Sequence, residues 1–89
     1  KDSLTTCLRY AEKGSSILFI EDAVYACTKG TNFEKLIIDH QENITFYVLG
    51  PDLSARGLDN SNLINSIEIV DYKGFVKLVA DNEKTQNWL

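Results

Sequence analysis

Residues 16–22 of this chain read Ser16-Ile17-Leu18-Phe19-Ile20-Glu21-Asp22, a continuous apolar run that ends in two carboxylates. Such a run is typical of a strand that is covered on both faces, as in a parallel sheet. Two further strand-sized apolar runs follow at helix-sized intervals, in residues 44–49 and residues 67–70. This alternation predicts an α/β fold with a three-stranded parallel sheet and helices on both of its faces.

The segments between the predicted strands have the periodicity and end signals of short helices. Residues 23–27 and residues 33–39 are two such segments, separated by a break that contains glycine. Residues 51–56 form a helical turn, because proline suits its first position and Gly57 ends it. A further helix is predicted before the first strand, with Gly14 at its end.

The last predicted helix covers residues 72–80 and begins after Asp71, whose carboxylate can accept from the free first-turn amides. Apolar residues recur along it with helical spacing, at Tyr72, Phe75, Val76 and Val79. We expect this stripe to face inward. The segment that closes with Trp88 and Leu89 is also apolar, and we expect it to fold back onto the sheet, with a subunit interface as the alternative.

Length and composition indicate one small globular domain over residues 1–89. The hydrophobic fraction of 44% is ordinary, and the net charge is −4 with scattered basic residues. A chain without a basic stripe is not expected to bind nucleic acid directly. No apolar run is long enough to span a membrane. Two cysteines without a secretory context favour a reduced, cytoplasmic protein.

Cys7 is the strongest candidate for chemistry. It lies near the positive end of the first predicted helix, with Lys1 and Arg9 nearby, and such surroundings lower the pKa of a thiol and make it a better nucleophile. The same spacing places Cys7 on an apolar stripe with Leu4 and Leu8, where cysteine packs as a small hydrophobe. A reactive and a buried role are therefore both open.

Other polar or thiol side chains receive structural interpretations. Cys27 is interpreted as core packing, and Glu21 and Asp22 as a helix cap and a turn, since no third metal ligand or phosphate loop accompanies them. His40 is expected to be exposed and has no evident metal or nucleophile partner. Arg56 is expected to stabilise its turn through backbone carbonyls or a carboxylate, with a subunit boundary as the alternative.

Four stretches and the chain's last two residues together carry a family resemblance. They are Ser3-Leu4-Thr5-Thr6-Cys7-Leu8-Arg9-Tyr10-Ala11, Leu18-Phe19-Ile20-Glu21-Asp22-Ala23-Val24-Tyr25-Ala26, Tyr47-Val48-Leu49-Gly50-Pro51-Asp52-Leu53-Ser54-Ala55-Arg56-Gly57-Leu58, Val70-Asp71-Tyr72-Lys73-Gly74-Phe75-Val76-Lys77-Leu78 and Trp88-Leu89. In this combination the chain resembles the DsrH/TusB family, the small subunits of the DsrEFH and TusBCD sulfur-transfer complexes.

The resemblance implies a small three-layer Rossmann-like or flavodoxin-like α/β fold without a cofactor. It also implies a heterohexamer with DsrE/DsrF-like (TusD/TusC-like) paralogous subunits and a DsrC/TusE-like sulfur acceptor. Sulfur would pass as a cysteine persulfide, in sulfur oxidation or in 2-thiolation of the tRNA wobble uridine. Cys7 matches the first-helix cysteine of the DsrH branch, which makes that branch the nearer one.

Two departures from the family pattern stand out. Ala23 replaces the usual glycine, and the family's first strand is expected to be absent from this chain. The principal alternative is a non-catalytic assembly subunit whose paralogous partners carry the reactive cysteine. A free-standing nucleotide-binding domain is disfavoured, because no glycine-rich phosphate loop precedes a helix.

Overall fold

The computed structural model describes residue 8, residues 13–81 and residues 85–88. Strands and helices alternate along these residues, which confirms the predicted α/β class with a parallel sheet. The elements are β1 (Ser15–Phe19), a 3₁₀ helix η1 (Glu21–Cys27), α1 (Glu34–His40), β2 (Ile44–Leu49), α2 (Gly50–Ala55), a 3₁₀ helix η2 (Asn60–Asn62), β3 (Glu68–Val70), α3 (Tyr72–Asp81) and β4 (Thr85–Trp88).

The sheet has the strand order β3-β2-β1-β4, and every neighbouring pair is parallel. β1 lies inside the sheet, where Ser16 pairs with Thr45 of β2 on one side and with Thr85 of β4 on the other. All five residues of β1 are buried, as its uninterrupted apolar run predicts.

The fourth strand was not predicted from the sequence. Residues 85–88 read Thr-Gln-Asn-Trp and lack the apolar run or alternation by which strands are recognised. Their backbone nevertheless pairs with β1 from Ser16 to Phe19. The expectation that this segment folds back onto the sheet is confirmed for these residues, and Leu89 lies outside the described part of the chain.

The core surrounds β1 and β2. The Phe19 and Phe46 rings are stacked with their centroids 6.1 Å apart, and both side chains are almost fully buried. Val24, Ile37 and Leu53 bring η1, α1 and α2 onto the same cluster. Burying a side chain of this size stabilises the fold by roughly 2 kcal/mol. Packing around these two strands therefore determines how the helices are placed.

The short helices follow their sequence signals closely. α2 has proline in its first turn, and Gly57 follows its end with φ +72°, a conformation that glycine adopts without strain. The segment predicted as a short helix over residues 23–27 is η1, which begins two residues earlier, at Glu21. None of the helices in the described ranges is both long and apolar enough to cross a membrane.

The inward stripe predicted for the last helix is wrong for three of its four residues. Tyr72, Val76 and Val79 on α3 are 59%, 65% and 48% exposed, whereas Phe75 is half-buried. The helix approaches the sheet through Gly74, where an added Cβ would lie 3.3 Å from Val70 Cβ. Because Gly74 has no side chain, its side of α3 can lie close to Val70. The predicted stripe lies on another side of the helix, away from this contact. The predicted cap is present, since Asp71 Oδ1 accepts from Gly74 N at 2.7 Å.

Candidate functional site

The carboxyl ends of β1, β2 and β3 lie at one edge of the sheet because the strands are parallel. Open α/β sheets bind their ligands at this edge. Acidic residues follow each of these strands here: Glu21 and Asp22 after β1, Asp52 in α2 after β2, and Asp71 after β3. The edge is thus the natural place to look for a site built on the described residues.

Arg56 connects the segments that follow β1 and β2. Its Nε donates to Asp22 Oδ1 at 2.9 Å, and its Nη1 donates to the Asp52 carbonyl oxygen at 3.1 Å. Asp52 Oδ2 in turn accepts from the Glu21 backbone N–H at 2.5 Å. These contacts confirm the predicted structural role of Arg56, which bonds to a carbonyl and to a carboxylate. They also join η1 to α2, and we call the four residues the Arg56 clasp.

The Arg56 clasp is arranged for holding backbone rather than for chemistry. Glu21 has φ +53°, unusual for a residue with a side chain, and its amide is held by Asp52 in the neighbouring segment. The side chains of Asp52 and Arg56 both bond to groups of the clasp. The interpretation of Glu21 and Asp22 as a helix cap is wrong, because they are the first two residues of η1, whose N-cap is Ile20 and has no side-chain cap hydrogen bond. Among the described residues no group of three histidine, cysteine or acidic side chains could hold a metal ion.

Cys27 lies in the core at the end of η1, as predicted. Its side chain is 0% exposed, it is a free thiol, and its carbonyl accepts from Ile64 N at 2.9 Å. Burial raises the pKa of the Cys27 thiol far above its ordinary value, because the apolar surroundings disfavour the thiolate. A thiol that is fully buried and stays protonated cannot act as a nucleophile.

The residue predicted to carry chemistry, Cys7, lies outside the described residues. Leu8, which follows it in sequence, is helical and 4% exposed and belongs to the core cluster. His40, expected to be exposed, is half-buried, and its Nδ1 lies 2.9 Å from the Leu36 carbonyl oxygen. This contact, between residues four apart on the helix, turns the ring back onto α1.

Two grooves were not foreseen from the sequence. One, of ≈460 Å³, opens at the carboxyl ends of β2 and β3 and is lined by Gly50, Pro51, Ile69, Val70, Asp71 and Gly74. The other, of ≈370 Å³, runs beside α1, where Ser66 Oγ is buried without a hydrogen-bond partner among the described residues. Each groove is lined by residues from separate parts of the chain, so no local sequence pattern predicts it.

Comparison with known proteins identifies the family. The family model described as "DsrH like protein" matches residues 1–85 of the chain.

The chain belongs to the DsrH-like family.

Curated relatives of this DsrH-like chain carry the name "Protein TusB". That of Pectobacterium carotovorum subsp. carotovorum (strain PC1) is 31% identical over 85 residues, which cover 96% of the chain and 86% of the relative. That of Salmonella dublin is 32% identical over 81 residues, covering 91% of the chain and 82% of the relative. That of Photorhabdus laumondii is 32% identical over 76 residues, covering 85% and 77%. The similarity to the DsrH/TusB family is therefore confirmed along nearly the whole chain.

Proposed function

We propose that this chain, as one domain over residues 1–89, is a subunit of a cytosolic sulfur-relay complex and handles sulfur as a persulfide on Cys7. Its partners are DsrE/DsrF-like (TusD/TusC-like) paralogues within a heterohexamer, and a DsrC/TusE-like protein accepts the sulfur. Family membership supports the complex, because TusB and DsrH are named after such complexes. The same membership supports two pathways, sulfur oxidation and tRNA wobble-uridine 2-thiolation.

The buried position of Cys27 is the observation that carries the assignment of Cys7. The chain has two cysteines, and a sulfur carrier needs a thiolate that a second protein's cysteine can reach. Cys27 is fully buried, and its pKa is raised. If this chain carries sulfur on a cysteine, the carrier is therefore Cys7.

The proposed transfer needs no metal and no oxidant. The Cys7 thiolate attacks the outer sulfur of a donor persulfide, R–S–SH. The new S–S bond to Cys7 forms as the donor's S–S bond breaks, the donor leaves as a thiolate, and the proton stays on the transferred sulfur. The acceptor's thiolate then repeats the same exchange on Cys7–S–SH, which restores the Cys7 thiolate.

A second candidate function is a non-catalytic assembly subunit whose paralogues carry the reactive cysteine. The exposed side chains of Tyr72, Val76 and Val79 on α3 favour it, because an apolar helix face in a small protein is typical of a protein interface. In this alternative Cys7 gains no sulfur, whereas the complex still requires the chain.

Intact-mass spectrometry tests these two functions against each other. The reconstituted complex is incubated with glutathione persulfide, and each subunit is weighed with and without reductant. A carrier gains the mass of one sulfur in the wild type and in Cys27→Ala, but not in Cys7→Ser. If a paralogous subunit gains sulfur while this chain gains none, the chain is an assembly subunit and the assignment of Cys7 is wrong.

The pathway is tested in cells that lack the chain. Loss of 2-thiouridine from tRNA, measured by nucleoside mass spectrometry and restored by the wild-type chain, would assign it to tRNA thiolation. Unchanged tRNA together with a loss of sulfur oxidation would assign it to the DsrEFH-like pathway, the nearer branch by the match at Cys7.

A further inference from the structure

The groove of ≈370 Å³ beside α1 lies between a helix and a loop. One wall is the side of α1 that carries Glu34, Ile38 and Gln41, which are spaced i, i+4 and i+7. The other wall is formed by residues 64–66, the segment that leads into β3, together with Lys29. Pockets for small molecules have volumes of about 300–1,000 Å³, so this groove, which we call the α1 groove, fits a small ligand.

Hydrogen bonds within the chain hold the α1 groove in shape. Lys29 N donates to the Asn62 carbonyl oxygen at 2.9 Å, which ties the segment after η1 to the loop before β3. Gly30 N donates to Glu34 Oε1 at 2.8 Å, so Lys29 and Glu34 lie at the same end of the groove. The groove is therefore formed by the chain itself and does not need a ligand to shape it.

The two charged side chains of the α1 groove are of opposite sign. Lys29 is exposed, and Glu34 is partly buried. No ion pair in the described part of the chain includes either of them, so they do not neutralise each other. One cation and one anion thus lie at one end of the groove, each able to bind a charged group of a ligand.

A buried hydroxyl and two isoleucines complete the α1 groove. Ser66 Oγ is shielded from solvent and has no hydrogen-bond partner among the described residues. Such an atom destabilises a fold unless something bonds to it, and a hydroxyl can both donate and accept. Ile64 is buried, whereas Ile38 is 42% exposed. The groove therefore combines an apolar surface with a polar atom that a ligand can satisfy.

We infer that the α1 groove binds a small α-amino acid with an apolar side chain, such as leucine. The ammonium of the ligand donates to Glu34, and its carboxylate accepts from Lys29 and from the Ser66 hydroxyl. The apolar side chain of the ligand lies on Ile38 and Ile64. An α-amino acid carries its two opposite charges close together, as the opposite charges at one end of the groove require. This site is separate from the proposed sulfur relay.

The charges in the α1 groove argue against other classes of ligand. A nucleotide carries several negative charges, whereas the groove offers one lysine with Glu34 at the same end. A purely apolar molecule would cover both charges and the Ser66 hydroxyl without pairing them, which is unfavourable. In a peptide the terminal ammonium and carboxylate are separated by at least one peptide unit, so a free amino acid is the better match.

Titration of the full chain with L-leucine tests the site. The amide NMR signals should shift and saturate with a Kd of about 1 mM. The largest shifts should belong to Lys29, Glu34 and residues 64–66. Isocaproate has the same apolar group but no ammonium, and isoamylamine has no carboxylate. Each should bind at least about tenfold more weakly than leucine.

Two charge substitutions test the assigned contacts. Glu34→Gln retains an acceptor for Gly30 N and removes only the charge, and Lys29→Gln removes the opposite charge. Each should raise the Kd for leucine at least about fivefold. The matched control is Lys73→Gln, at an exposed lysine outside the groove, which should bind leucine as the wild type does.

Ser66→Ala separates a role in binding from a role in the fold. Because Ser66 Oγ has no partner in the described chain, alanine should leave the Tm unchanged or raise it. The same variant should raise the Kd for leucine about threefold or more. A fall of several degrees in Tm would show that the hydroxyl serves the fold, and would contradict its assignment to the ligand.

Several results would overturn the inference. If the signals do not shift at about ten times the expected Kd, the α1 groove is not a site for amino acids. Isocaproate that binds as tightly as leucine would assign the groove to carboxylic acids, and isoamylamine that does so would assign it to amines. Tighter binding of leucyl-leucine would assign it to peptides. None of these measurements involves sulfur, so their outcome is independent of the proposed function.

Discussion

The β1–β2 core and helix α3 both carry apolar residues, but those of the core are buried and most of those on α3 are exposed. Phe19 and Phe46 are almost fully buried, whereas Val76 on α3 is 65% exposed. Apolar periodicity shows that a residue belongs to a face, but only the neighbouring elements decide whether that face is covered. We therefore expect residues around β1 to contribute most to the stability of the chain, whereas Tyr72, Val76 and Val79 on α3 are exposed among the described residues.

The strongest test of this contrast is Phe46→Ala. Removing the ring that stacks on Phe19 leaves a cavity and should lower the free energy of unfolding by about 3–5 kcal/mol. Urea denaturation measures the loss, and Phe46→Leu should retain much of the stability if the alanine variant does not fold. A loss below about 1 kcal/mol would show that this ring does not anchor the core.

Alkaline pH should probe the same core through Cys27. Above roughly pH 8.5 the thiol loses its proton in the unfolded chain, whereas burial raises the folded-state pKa of Cys27 and keeps it protonated. The unfolded state then binds fewer protons, so this residue's contribution to stability is present below that pH and falls as the pH rises, by up to about 1.4 kcal/mol per pH unit. Stability of Cys27→Ala should fall less steeply from pH 8 to 10. Parallel curves would contradict the buried position.

Arg56→Ala should lower stability by an amount between those of the core and surface variants, because Arg56 is partly buried and its partner Asp22 is exposed. It removes hydrogen bonds to Asp22 and to the Asp52 carbonyl, and should cost about 1 kcal/mol in urea denaturation. Lys35→Ala, which breaks the exposed pair with Asp39 at 3.2 Å, is the control and should cost less than about 0.5 kcal/mol. Equal costs would show that the clasp is an ordinary surface contact.

Val76→Ala should have the smallest effect on the isolated chain. The side chain is mostly exposed, so the free energy of unfolding should change by less than about 0.5 kcal/mol. Thermal and urea denaturation of this variant and of Phe46→Ala provide the direct comparison. A loss above about 2 kcal/mol for Val76→Ala would mean that the chain itself covers this face of α3.

Local sequence signals predicted most of the fold. The run of β1, the proline and Gly57 of α2, and the Asp71 cap of α3 each act within a few residues, so the sequence displays their causes directly. β4 could not be recognised in this way, because its pairing with β1 depends on residues far away in the chain. The exposure of Tyr72, Val76 and Val79 on α3 was also missed, since it depends on which elements pack against the helix.

Of the candidate site residues, some were predicted correctly from the sequence and others were not. The roles of Arg56 and Cys27 followed from residue type and neighbouring elements, and both are confirmed. His40 was misjudged because its acceptor, the Leu36 carbonyl, is a backbone group that no motif displays. The role of Cys7 stays a prediction, since this residue lies outside the described part of the chain.

The pairing of Ser16 with Thr85 has a consequence for synthesis on the ribosome. β1 leaves the exit tunnel before either of its partner strands has been made. β2 follows first, whereas the segment that pairs with the other edge of β1 emerges about 70 residues later, after several seconds at ordinary rates of translation. During that interval an apolar strand edge is open to other nascent chains, which is a known route to aggregation. A ribosome-bound chaperone, or early docking of a co-translated partner, would protect this protein most if it covered β1 before Thr85–Trp88 appears.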